Sequence, residues 1–166
     1  MLYTREQRER RDATVWTTVQ AVLAPTQFVI FLVSLVLVIR ALVTGEGYGL
    51  AVASIVLKTA VLYLIMVTGA IWERVVFGQY LFAPAFYWED MVSMAVLALH
   101  TLYLACLAFG WGSPAEQLTI ALAAYAIYVV NAAQFVWKLR QARLQAASSG
   151  SKDAASEWAP AGAQGA

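Results

Sequence analysis

Charge is what this 166-residue chain has least of: Asp, Glu, Lys and Arg make up 13% of it, while hydrophobic residues make up 61% and the mean hydropathy is +0.67. A soluble domain carries charge at about a quarter of its positions, because water must be met over its whole surface. The composition therefore excludes a soluble domain and points to a membrane protein. Cysteine occurs once, at Cys106, which excludes an internal disulfide and a thiolate metal cage and leaves a small apolar side chain packed in a helix. Histidine also occurs once, at His100. A haem held by two histidines of one chain is thereby excluded, as is a His-rich di-metal site, and no Glu-x-x-His pair is present. The glycine-rich run TGEGYG at 44–49 lacks the preceding strand and the Lys with Ser or Thr of a phosphate-cradling loop, so it reads as a hairpin turn.

What the chain does have is long charge-poor runs. A membrane-spanning helix needs about 20 mainly apolar residues. Four spans meet that need, over about 17–43, 50–72, 88–109 and 116–138. The segment TREQRERRDAT before the first span is too charged to enter lipid and suits a short surface helix. The first span is too long for a secretory h-region and has no small-residue cleavage site, so no cleaved signal is expected. Pro25 lies inside it and should bend it. Trp16, Trp72, Trp88, Trp111 and Trp137 all fall at span ends, where indoles prefer to sit. Arg5, Arg8, Arg10, Arg11, Arg74, Lys138, Arg140, Arg143 and Lys152 fall on one side of this topology against Arg40 on the other, which makes both termini cytoplasmic. The expected fold is an all-α integral membrane bundle of four transmembrane helices in one domain over 1–144. A short N-terminal surface helix precedes it, and an Ala-, Ser- and Gly-rich disordered tail follows over 145–166.

The connection GQYLFAPAFYWED at 78–90 departs from a normal membrane-surface loop. Such loops are polar because water satisfies their backbone, yet Trp72, Phe77, Tyr80, Phe82, Phe86, Tyr87 and Trp88 crowd this one, and it ends in Glu89 and Asp90. It reads as a pocket wall bearing acids. Two neighbouring carboxyls shielded from water oppose each other's ionisation, so one can stay protonated near neutral pH and serve as a general acid. Glu73 and Arg74 belong to the same edge, where a solvated interfacial cluster is the plainer reading.

Ionisable and amide groups at membrane depth are the other candidates. Lys58 lies about eight residues, or about 12 Å of helix, inside its span, near enough to snorkel outward or pair with Glu46 or Glu116; lining a cavity is the alternative. His100, near mid-membrane, admits three readings: an axial ligand to a chlorin magnesium, a polar contact to a ligand, or a satisfied buried imidazole. Glu89 and His100 share a helix face about 16 Å apart. Asn131 and Gln134 either face the pocket or bond between helices. Tyr125 and Tyr128 read as packing.

Across RRDATVWTTVQAVLAP, TGEGY, MVTGAIWERVVFGQYLFAPAFYWEDMVSM, ALHTLY and LAAYAIYVVNAAQF, the chain resembles the 3-vinyl bacteriochlorophyllide hydratase family of bacteriochlorophyll biosynthesis. The segment from Met66 to Met94 is the most specific part, and the tail contributes nothing. The resemblance implies a hydro-lyase that adds water across the C3 vinyl group of chlorophyllide a or bacteriochlorophyllide a, giving the 3-(1-hydroxyethyl) product. It also implies a bacterial inner membrane, cytoplasmic or intracytoplasmic. A flat apolar macrocycle with polar edges suits an aromatic cleft with a few placed polar groups.

On that reading Glu89 or Asp90, with Glu73 beside them, protonates the terminal vinyl carbon. The other carboxylate, helped by Gln79, Tyr80 or Asn131, directs water to the internal carbon. Phe86, Tyr87, Trp88, His100 and Gln134 complete the substrate-binding candidates. No cofactor or catalytic metal is required, the only magnesium being the substrate's own, and no nucleic-acid partner is expected. The partners are the pigment and the lipid membrane, and a homo-oligomer or an assembly with other pathway enzymes is compatible. The competing reading is a non-catalytic pigment-binding or photosystem assembly protein with His100 as axial ligand and the acidic segment as a docking surface.

Overall fold

A computed structural model describes residues 2–157, without side chains over 149–157; of the tail expected to be disordered over 145–166, residues 145–157 instead continue the last helix, and 158–166 lie outside the described residues. Those residues form five helices and no strand: α1 (Arg5–Ala13), α2 (Val15–Thr44), α3 (Tyr48–Phe77), α4 (Tyr87–Phe109) and α5 (Pro114–Glu157). The last four are long and apolar enough to cross a membrane. Even α4, the shortest at 23 residues, reaches about 35 Å at 1.5 Å per residue, against a hydrocarbon core of about 30 Å.

Inside each span, one stripe turns inward. On α3 it is Ala51, Ile55, Lys58, Thr59 and Leu62; on α4 it is Asp90, Ser93, Val96, His100, Tyr103 and Cys106. Steps of three and four residues keep each set on one helical face. The opposite faces expose Val29, Val33, Val36, Leu57, Leu64, Val129 and Val136, as lipid-facing surfaces do. α2 packs chiefly on α3 and α4 on α5. Alanines at 51, 121 and 124 are buried in the core and let backbones approach closely.

The ends follow local chemistry. α1 opens with a capping box in which the Gln7 N–H donates to Thr4 Oγ1 at 3.2 Å and the Thr4 N–H donates to Gln7 Oε1 at 2.9 Å. α2 runs unbroken past Pro25 and closes at Gly45, whose φ of 72° lies in the left-handed region; the hairpin turn expected at 44–49 is thus present. Tyr3, just before α1, is buried in a second apolar cluster with Val76 and Phe86, so the start of the chain is pinned to the same bundle end as the α3–α4 connection.

Candidate functional site

The α3–α4 connection is shaped by two carboxyl groups beneath it. Asp90, in the first turn of α4, accepts the Phe82 N–H at 2.7 Å, and Glu73, in the last turn of α3, accepts the Ala83 N–H at 3.3 Å. The two carboxyls lie close enough to interact directly. Two shielded carboxyls in one place oppose each other's ionisation, so such a pair can hold one proton between them. Both are buried, at 5% and 4% exposure, and Phe82 holds a φ of 61°, a left-handed conformation that a bulky residue adopts only when its surroundings enforce it.

Aromatic rings cluster at the same end of the bundle. Tyr3 stacks on Phe77 at 5.7 Å, Phe77 lies 5.8 Å from both Trp72 and Phe86, and Phe86 lies 5.6 Å from Trp72 and 6.2 Å from Phe135. Trp72 Nε1 donates to Thr17 Oγ1 at 2.9 Å, tying α3 to α2. Tyr3 lies outside the spans, and burial pushes its phenol up to about 12 although Arg11 opposes the shift.

Glu89 points elsewhere, because successive helical residues are rotated by about 100°. Its Oε2 faces Lys138 Nζ at 3.5 Å and makes no hydrogen bond among the described residues. Lys138, on α5, also donates to the Ala85 carbonyl and lies 5.5 Å from the centre of the Phe86 ring. Beside it is a cavity of about 510 Å³ between the chain start, the connection and α5.

The sequence candidates thus separate. Glu73, Asp90, Glu89 and Phe86 come together at one bundle end. Gln79, Tyr80, Tyr87 and Trp88 lie exposed around it, with Gln79 Nε2 bonded to the Leu81 carbonyl at 3.0 Å. Asn131 sits one turn of α4 deeper, exchanging hydrogen bonds with Ser93 at 2.9 and 3.3 Å, and so joins α5 to α4. Gln134 is half-buried with no partner for its Oε1 among the described residues.

Lys58 and His100 form a separate centre. The expectation that Lys58 snorkels outward or pairs with Glu46 or Glu116 is corrected: its side chain is fully buried, and its Nζ lies 3.1 Å from His100 Nε2. The inward stripe of α3 fixes this direction, and the rings of Tyr128, Tyr125 and Phe31 meet the amine at 4.0, 5.1 and 5.9 Å. His100 Nδ1 donates to the Val96 carbonyl at 2.8 Å, so both imidazole nitrogens are committed to the protein. Tyr125 continues the network through Ser34 at 2.5 Å to Ser54 at 2.7 Å.

Two contributors escaped the sequence reading. Lys138 carried a signal, since Asn131, Phe135 and Lys138 lie on one face of α5 at steps of four and three. Tyr3 carried none, because it precedes a strongly charged segment.

Together, the fold and site define a multi-pass helical membrane protein with two buried carboxyls and a cluster of aromatic rings at one end of the bundle. The sequence profile of the 2-vinyl bacteriochlorophyllide hydratase family matches residues 3–141. The chain is 69% identical over 148 residues to the 2-vinyl bacteriochlorophyllide hydratase of Rhodobacter capsulatus, covering 89% of this chain and 85% of the relative. It is 66% identical over 143 residues to the protein of that name from Cereibacter sphaeroides, covering 86% and 89%. The chain belongs to the 2-vinyl bacteriochlorophyllide hydratase family. The locants 2 and 3 denote the same vinyl group in two numberings of the macrocycle. No solved structure matches the chain.

Proposed function

We propose that this chain is the hydro-lyase that adds water across the C3 vinyl group of chlorophyllide a or bacteriochlorophyllide a. It acts in a bacterial inner membrane with both termini cytoplasmic, the orientation that the distribution of Lys and Arg favours. The burial of the Glu73 and Asp90 carboxyls together, under the connection whose N–H groups they accept, carries the chemical part of the proposal, since two shielded neighbouring carboxyls can hold a transferable proton.

That proton passes to the terminal vinyl carbon, making it a methyl group. The vinyl electron pair forms the new C–H bond and leaves the internal carbon cationic, stabilised by delocalisation into the macrocycle. Water then attacks the internal carbon and loses one proton to a carboxylate, either the one just formed or Glu89, which Lys138 orients. The net change is one H and one OH added, with no electron gained or lost. Positioned acid and base groups each contribute about 100-fold to 10,000-fold.

The test is incubation of purified membranes with the 3-vinyl pigment in isotopically labelled water. One labelled oxygen in the product supports the reaction. Recovery of unchanged vinyl pigment alongside active controls sinks it. Retention of pigment by a carrier through His100 would require breaking the bond to Lys58 or to Val96, and this favours the enzyme reading over the carrier reading.

A further inference from the structure

The cavity beside Lys138 has no role in the proton transfer described above. Its lining includes Phe77 and Pro84 on the apolar side and Lys138, Gln7 and Gln141 on the polar side: one cation, two amides and no carboxylate. An ammonium has three donors. The Ala85 carbonyl takes one and Glu89 faces a second, which leaves the third for the cavity that Lys138 lines. Phe77 also belongs to the aromatic cluster and lies one turn of α3 beyond Glu73, so an apolar plate seated in the cavity lies at the same bundle end as the carboxyl groups. The site therefore offers apolar side chains on one side and, on the other, an ammonium that faces Glu89 and keeps one donor for the cavity.

We propose that this cavity seats the free carboxylate side chain of the pigment, with Lys138 as the residue that reads it. The inference rests on the proposed function for its ligand: a chlorophyllide is the free-acid form of a chlorophyll, an apolar macrocycle with one ionised propionate arm. An esterified pigment presents the same plate without the charge. Lys138 then both selects the acid over the ester and holds the plate beside the carboxyl groups, because its other donors bind the connection and Glu89. Arg preserves the charge at this position, whereas Gln keeps a polar chain and removes it.

The experiment is a ligand cycle. Binding of the 3-vinyl free acid and of its methyl ester is measured by pigment fluorescence with the full chain in nanodiscs of neutral lipid, and repeated with anionic lipid. Wild type should prefer the acid by about 10-fold, the lower end of a charge-assisted contact at a partly exposed site. Lys138→Gln should bring acid binding down to the ester's level, and Lys138→Arg should keep the preference. Gln141→Glu, which adds a carboxylate to the cavity and leaves Lys138 in place, should weaken the acid and spare the ester. An acid-to-ester ratio unchanged in Lys138→Gln overturns the assignment, as does a Gln141→Glu variant that weakens both ligands alike. A Lys138 effect that appears only with anionic lipid also overturns it, by assigning the cavity to a lipid phosphate. Acid preference without any hydration supports the subsite and sinks the reaction, so the two failures are distinguishable.

Discussion

Replacing Asp90 separates the two tasks this side chain performs. In the proposed reaction its carboxyl works with Glu73 in proton transfer, and it also accepts the Phe82 N–H at 2.7 Å. Phe82 has a φ of 61°, and the left-handed region costs a residue with a Cβ about 1–2 kcal/mol. A hydrogen bond to a charged acceptor contributes about 1.5–3 kcal/mol and one to a neutral acceptor about 1 kcal/mol. Asp90→Asn keeps a neutral acceptor, so the connection should lose about 0.5–2 kcal/mol. It deletes the acid, however, and turnover should fall by about 100-fold to 10,000-fold. That fall equals about 3–5.5 kcal/mol of transition-state stabilisation. Asp90→Ala deletes both functions, leaving the Phe82 N–H buried without a partner at a cost of about 1–3 kcal/mol on top of the same rate loss. The assay pairs initial hydration rates of the 3-vinyl pigment with thermal unfolding in detergent. An Asp90→Asn variant that unfolds like wild type and retains more than half its rate would refute the reasoning.

Glu73→Gln should also lower the rate by at least about 100-fold while keeping an acceptor for the Ala83 N–H, which amide hydrogen exchange can check. Lys58→Met leaves His100 Nε2 without its donor and should destabilise the bundle by about 1–3 kcal/mol; adding His100→Leu should recover part of that loss, visible as non-additivity in denaturation curves. Asn131→Ala should lower the melting temperature through loss of the Ser93 link, yet reduce the rate by less than about 10-fold if the amide only joins helices. The Tyr3 phenol, shifted from 10.0 to about 12, can ionise more readily once the chain start is released. Docking of that segment is therefore at full strength below pH 10 and weakens as pH rises towards 12. Limited proteolysis across this range should show increasing cleavage near Arg5, and Tyr3→Phe should abolish the pH dependence.

The spans were legible because membrane helices report themselves by length and lack of charge, and α2 to α5 contain the four apolar runs. Direction around each helix was less legible. Lys58 was expected to face outward because a lone lysine in lipid is costly, but the partner that receives it, His100, lies 42 residues away on another helix. Glu89 and Asp90 look like a pair because they are adjacent in sequence, yet a helix turns neighbours apart. Asp90 meets Glu73 across the connection, and Glu89 meets Lys138 from α5. Partners of this kind depend on which helices touch, and no local pattern encodes that. The aromatic and acidic character of the connection was readable, whereas its left-handed Phe82 was not, since Phe gives no hint of a positive φ.

The Lys58–His100 contact also sets an order for biogenesis. Residues emerge from the ribosome in sequence, so the α2–α3 hairpin is complete before the imidazole on α4 has been made. A lysine near the middle of a span raises the cost of insertion by about 2.5–3.5 kcal/mol. The nascent hairpin therefore carries an unquenched amine until α4 arrives. Chains halted between α3 and α4 should stay in contact with the insertion machinery, and release into lipid should coincide with the docking of His100.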